Sequence, residues 1–124
     1  MSDSKPGSST PDQWPEALDA RTAAPDHHAV LLENDQVRVL DTRIGPGEQT
    51  PLHAHTWPSV LYILSWSDFI RYDADGNVLV DSRTWSSSPT EGATLWSGAL
   101  GPHSARNVGH QELRVLAVEL KNPV

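Results

Sequence analysis

From Ala29 onward the apolar residues come in short runs separated by turn residues, a pattern that predicts an all-β sandwich or barrel. Candidate strands are Val30 to Glu33, Val37 to Ile44, Ser59 to Ser65, Phe69 to Tyr72, Val78 to Trp85, Ala93 to Ser97 and Glu112 to Lys121. Between them stand Glu33-Asn34-Asp35, Gly45-Pro46-Gly47, Asp73-Ala74-Asp75-Gly76-Asn77 and Asn107-Val108-Gly109-His110, all rich in residues that favour turns. Asp75-Gly76 is the strongest hairpin signal, because a tight hairpin turn needs positive φ. In the last run, Leu113, Val115 and Ala117 alternate with Leu116, Val118 and Leu120, so both faces are apolar and a strand between two covered surfaces is expected.

Residues 1–26 read differently. They are rich in Ser, Pro, Asp and Ala, and Pro6, Pro11, Pro15 and Pro25 break any long helix, so a largely irregular tail is expected before a barrel domain over 27–124. A short helix from about Pro15 to Thr22 is compatible with Pro at its first position, and it would dock on the barrel or on a partner subunit.

Composition narrows the chemistry. At 124 residues the chain has the length of one domain, and with no cysteine any metal must be held by imidazole, carboxylate or water. A formal net charge of −7 argues against a nucleic-acid partner, since phosphate binding rests on clustered Lys and Arg. No signal-peptide core or membrane-length apolar run is visible, so a cytoplasmic protein with no membrane partner is expected.

His53-Ala54-His55 carries the clearest chemistry. Residues two apart on a strand face the same way, with Cβ atoms roughly 6 to 7 Å apart, so two imidazoles can converge on one ion. Gly47 precedes His53 by five intervening residues, and His103 lies downstream with Asn107 three residues beyond it. With these positions the sequence resembles the cupin superfamily, whose motifs read G-x5-HxH-x3,4-E-x6-G and G-x5-PxG-x2-H-x3-N. Gly47, His53 and His55 match the first, and Gly92, His103 and Asn107 the second. The ENDQVRVL, PGE and LAVELK segments add to the likeness, which spans about residues 29 to 122.

The resemblance implies a double-stranded β-helix (jelly-roll) barrel and a metal site at His53, His55 and His103. It departs from the family where the glutamate falls on Ser59, its closing glycine on Trp66, and the proline and glycine of the second motif on Gly98 and Leu100. Three neutral imidazoles without a carboxylate suit Fe(II), Zn, Cu, Ni or Mn better than Mg or Ca and leave coordination positions open. The uncharged set leaves the full cationic charge to attract an anionic or enolate-like oxygen. By resemblance to cupin dioxygenases lacking the glutamate, an Fe(II)-type dioxygenase acting on a small enolisable or diketone-like substrate is one expectation. A non-catalytic sensing module and a Lewis-acid lyase or isomerase are the others.

Around this site, Trp57 is expected to wall the cavity and Tyr62 to offer a hydroxyl if it faces inward. Ser59 would bond a metal-bound water, and Gln49 or Glu48 would supply an oxygen in place of the missing glutamate. Asn107, on the same side of the strand as His103, reads as a structural hydrogen-bonding residue that can also sit behind the ligands. His27 and His28 fall at the tail-to-barrel junction and His110 in a turn, where solvated side chains are the default reading. A small-molecule ligand and a homodimer formed through sheet faces or exchanged end strands complete the expected partners.

Overall fold

The computed structural model describes residues 14–121, so the first half of the expected tail, and the last three residues, lie outside it. Nine strands form two antiparallel sheets: β1 (His28–Glu33), β2 (Val37–Ile44), β3 (His53–His55), β4 (Ser59–Ser65), β5 (Phe69–Asp73), β6 (Val78–Asp81), β7 (Thr94–Ser97), β8 (Leu100–Asn107) and β9 (Leu113–Leu120). One sheet has the order β1-β2-β9-β4-β7 and the other β3-β8-β5-β6, the jelly-roll arrangement of a double-stranded β-helix. Among the described residues no helix is long and apolar enough to cross a membrane.

The expected central position of the last strand is met: β9 pairs with β2 on one side and β4 on the other. Its Leu113 and Ala117 are buried between the sheets, and Leu113 clusters with Ile44 and Phe69. Its other face joins an apolar row across the outside of the sheet, because the register sets Leu32 opposite Val39, Val39 opposite Val118, Val118 opposite Val60 and Val60 opposite Trp96.

Three elements differ from the sequence expectation. The strand proposed for Val78 to Trp85 stops at Asp81, whose carboxylate accepts from the Arg83 amide and starts a 3-10 turn over Ser82–Thr84. The Ser82 hydroxyl pins that turn by donating to Asp68 while accepting from the Phe69 amide. β1 begins earlier than expected, at His28. β8 runs over eight residues despite Gly101 and Pro102, and the pairing of β3 with β8 slips between His53↔His103 and His55↔Leu100, which places Pro102 at an irregularity where its missing amide costs no ladder bond.

The described part of the tail is ordered against the barrel. A 3-10 turn over Glu16–Leu18 leads into α1 (Ala20–Ala23), with Asp19 capping the helix by accepting from the Arg21 amide. Ala20 and Ala24 are fully buried, and Ala20 packs with Leu40 and Ala117 in one core cluster. Asp19 also bridges to Ala54 in the middle of the His53-Ala54-His55 strand, so the segment closes over the end of the barrel where the histidines lie.

Candidate metal centre

Four imidazoles meet inside that end of the barrel. His53 and His55 come from β3, His103 from β8 opposite His53, and His28 from the start of β1. Ring centroids are 4.4 Å apart for His53 and His103, 4.7 Å for His28 and His53, 5.0 Å for His53 and His55, and 5.2 Å for His28 and His55. His28, His53 and His103 are at most 4% exposed. The tightest trio is His28, His53 and His55, whose ligand atoms lie within 4.8 Å of one another; His103 flanks it, 5.5 Å from His55 between centroids.

Each ring is oriented by its second nitrogen. Nδ1 of His28 lies 2.9 Å from the Ala24 carbonyl, that of His53 2.8 Å from the Pro51 carbonyl, and that of His103 2.7 Å from the Gly101 carbonyl. Nδ1 of His55 lies 3.1 Å from Glu119 Oε2. Carbonyl and carboxylate oxygens only accept, so each Nδ1 carries the proton and each Nε2 keeps its lone pair. Metal-ligating histidines are held in this way, by an outer carbonyl or carboxylate that fixes tautomer and ring angle.

Burial keeps the rings neutral. It lowers His28 to about 3, with the neighbouring His55 and His53 adding to the effect. His55 falls to about 3 through burial and then His53, His103 to about 2 through burial and then His53, and His53 is lowered chiefly by burial. Three buried imidazoles and the half-buried His55, all neutral, are a donor set that fits a borderline divalent transition metal.

Behind His55 runs a buried charged chain. Glu119 Oε1 accepts from Arg38 Nε at 2.6 Å, and Arg38 donates its two terminal nitrogens to Asp19 at 2.9 and 3.0 Å. Arg38 and Glu119 are 1% and 0% exposed, so the carboxylate is satisfied on both oxygens and serves as the orienting partner of His55.

Beyond the imidazoles lies a cavity of about 280 Å3, walled by Leu61, Ile63, Trp66, Phe69, Trp85 and Leu100 among others. Trp66 stacks on Trp85 at 5.7 Å and meets Phe69 edge-on at 5.8 Å, giving the far end an aromatic wall. Arg71 also lines it.

The barrel places this chain among solved structures of one fold. A cupin domain protein from Bordetella pertussis superposes with a TM-score of 0.62 at 22% identity, over 77% of this chain and 92% of that one. An RmlC-like cupin with a double-stranded β-helix fold from Methanocaldococcus jannaschii gives 0.54 at 16% identity, over 75% and 77%. The chain folds as a cupin. A third match, the polyketide cyclase RemF from Streptomyces resistomycificus, gives 0.51 at 19% identity over 81% of this chain and 68% of that one. No protein-family model and no curated protein matches the sequence.

Of the residues singled out from sequence, the cupin barrel brings His53, His55, His103 and Ser59 together at the cavity. Trp57 is elsewhere: β3 ends at His55, the alternation lapses, and the indole lies beneath Arg38 and Lys121 at 5.0 and 5.3 Å. Tyr62 is 41% exposed on the outer face, its hydroxyl beside Gly92. Gln49 donates to Ser104 outside the cavity, and Glu48 accepts from the Gly45 amide within its own turn, so neither offers an oxygen to the histidines. Asn107 is fully buried and knits loops, donating to the Ile44 and Gln111 carbonyls and accepting from Ser67 and the Gly109 amide.

His28 is the correction. The junction reading makes it solvated, yet it is buried and faces Thr42 across β1 and β2, both lining the cavity. Extending the β1 alternation two residues back from Val30 would have found it. Its neighbour His27 faces away, with Nδ1 on the Arg43 carbonyl.

Proposed function

We propose that this cupin is a metal-dependent enzyme in which His28, His53, His55 and His103 hold one divalent transition metal beside an apolar cavity, and that it acts on a small, planar, enolisable compound. The common anchoring of the four Nδ1 atoms supports this reading, because it leaves Nε2 of each ring free to bind, with the ligand atoms of His28, His53 and His55 within 4.8 Å of one another and His103 beside them. A metal held there would supply Lewis-acid polarisation of an enol or carbonyl oxygen.

The chain's own residues supply position and environment. Trp66, Phe69 and Trp85 favour a flat apolar body, and burial excludes the water that would compete for the site. Among the described residues the cavity lining holds no carboxylate, so the proton that moves is the substrate's own enol proton, and the Ser59 and Thr42 hydroxyls serve as hydrogen-bond partners that orient the substrate.

Four protein ligands leave at most two positions of an octahedron, which a bidentate diketone-like substrate fills. That favours non-oxidative chemistry, such as cyclisation or isomerisation, and the likeness to a polyketide cyclase is in keeping with it. The second reading, an Fe(II)-type dioxygenase, rests on the all-imidazole donor set and needs a substrate bound through one oxygen only. Metal-reconstituted protein is to be incubated with a panel of aryl 1,3-diketones, with and without air, while products are followed by mass spectrometry and oxygen by electrode. Anaerobic turnover absent from His53→Ala supports the first reading, turnover coupled to oxygen uptake the second, and no turnover above the variant leaves a non-catalytic binding module.

We further propose a homodimer through the outer row Leu32, Val39, Val118, Val60 and Trp96. Leu32, Val60 and Trp96 are 51%, 39% and 63% exposed, and covering them would remove an apolar stripe from water.

A further inference from the structure

Arg71 stands out as a cation in an apolar cavity with nothing to pair with. It lies on β5 between Val80 of β6 and Ala105 of β8, and all three line the cavity. Among the described residues its guanidinium makes no hydrogen bond and no ion pair, and its Nε is one of two buried side-chain donors left without a partner, the other being Trp66 Nε1 in the same cavity. Its one favourable contact is with the Phe69 ring, 5.5 Å from the guanidinium carbon to the centroid. Burial lowers its basicity, and its charge in turn is among the influences that depress His53, His55 and His103.

Orphaned buried donors are costly, and a charged one more so, unless something in the cavity accepts from them. A guanidinium presents a planar fork that matches a carboxylate bidentately. The register sets the span: Arg71 faces Ala105, and His103 is two residues along β8 on the same face, a diagonal of roughly 7 to 8 Å. One substituted benzene ring covers that distance, and the aromatic wall of Trp66, Phe69 and Trp85 lies alongside.

We propose that Arg71 is the anion anchor of this cavity, binding the carboxylate of a small aromatic or enolisable acid whose second oxygen, one ring away, reaches the imidazole cluster. This rests on the cavity being the substrate site, as proposed above, but not on a metal being present. It narrows the substrate class from enolisable compounds in general to carboxylates, with Trp66 Nε1 as a second donor.

Isothermal titration with benzoate, 4-hydroxybenzoate and 4-hydroxyphenylacetate, each against its uncharged carboxamide, tests it on the full chain before and after chelator treatment. The expected result is a preference for carboxylate over carboxamide of about tenfold to a hundredfold, retained after chelation. Arg71→Met abolishes the preference and Arg71→Lys keeps part of it, while metal content matches the parent protein and the thermal midpoint is no lower. Equal binding of acids and amides, no saturable binding of any acid, or an unchanged preference in Arg71→Met overturns the proposal. Loss of metal binding with the preference intact would instead fault the metal centre and leave Arg71's assignment standing.

Discussion

Nδ1 of His55 lies 3.1 Å from Glu119 Oε2, and the other oxygen of the same carboxylate holds Arg38. The carboxylate missing at Ser59 is therefore not restored at the imidazole cluster; a carboxylate stands behind His55, and a fourth imidazole, His28, stands beside the three expected ones. An orienting partner of this kind is worth roughly 10- to 100-fold in metal affinity. Glu119→Gln keeps the shape and removes the charge, so affinity measured by competition with a chromophoric chelator should fall by about that factor.

Arg38 ties Asp19, at the start of α1, to Glu119 in β9. Removing one member of a buried ionic network leaves the others uncompensated and costs about 3 to 5 kcal/mol. Arg38→Met should accordingly destabilise the protein by about that amount in urea unfolding. A loss below roughly 1 kcal/mol, the range of exposed pairs, would contradict the buried network.

His27 and His28 are adjacent and face opposite ways, which makes them a paired control. His28→Ala should lower metal affinity on the order of a hundredfold or more, beyond the effect of an orienting partner. His27→Ala should leave it unchanged, since its ring is held at the Arg43 carbonyl and does not line the cavity. Equal effects of the two substitutions would remove His28 from the centre.

How much of this was legible in the sequence follows from what each signal encodes. Alternation and turn residues located most strands, and Gly47 and Gly92 of the two motifs do adopt φ of 78° and 86°, where side chains are strained. The common face of His53 and His55 followed from strand period alone. His28 was missed because it opens a strand whose apolar pattern begins only at Val30, and its inward aim is fixed by the Ala24 carbonyl at the end of α1. Trp57, two residues past His55 in the turn after β3, turns away from the cavity to pack against Arg38 and Lys121, which closeness in sequence to the histidines does not reveal. Arg71 and Glu119 gave no signal at all, since a lone charge on a strand shows its burial only once the sheets close.

Acid should unfold the metal-free protein over a defined window. His28, His55 and His103 are held near 3, 3 and 2 against an ordinary value of 6.5, so below about 6.5 the unfolded chain binds protons that the folded chain refuses. Stability is fully present above pH 6.5 and falls as pH drops toward 3. The lowered carboxylates Asp19 and Asp41 act only near and below 3.8, and Glu119, raised by burial, works in the opposite sense as one group against several. Urea midpoints of chelated protein should decline from pH 6.5 to 5; a flat profile would show imidazoles free to protonate in place.

The outer apolar row carries the dimer proposal. Light scattering should give twice the 13.6 kDa chain mass, and Val60→Lys, between Val118 and Trp96 in the row, should give a monomer with its fold intact. A monomeric parent protein would set that proposal aside without touching the site.

The central claim is that buried imidazoles, and no carboxylate, hold one metal. X-ray absorption of tag-free purified protein, combined with elemental analysis, tests it directly. About one transition metal per chain is expected, with an all-nitrogen imidazole shell from the protein, lost in His53→Ala. Wild-type protein carrying no more metal than that variant, even after reconstitution, or a shell containing a protein carboxylate, would contradict it.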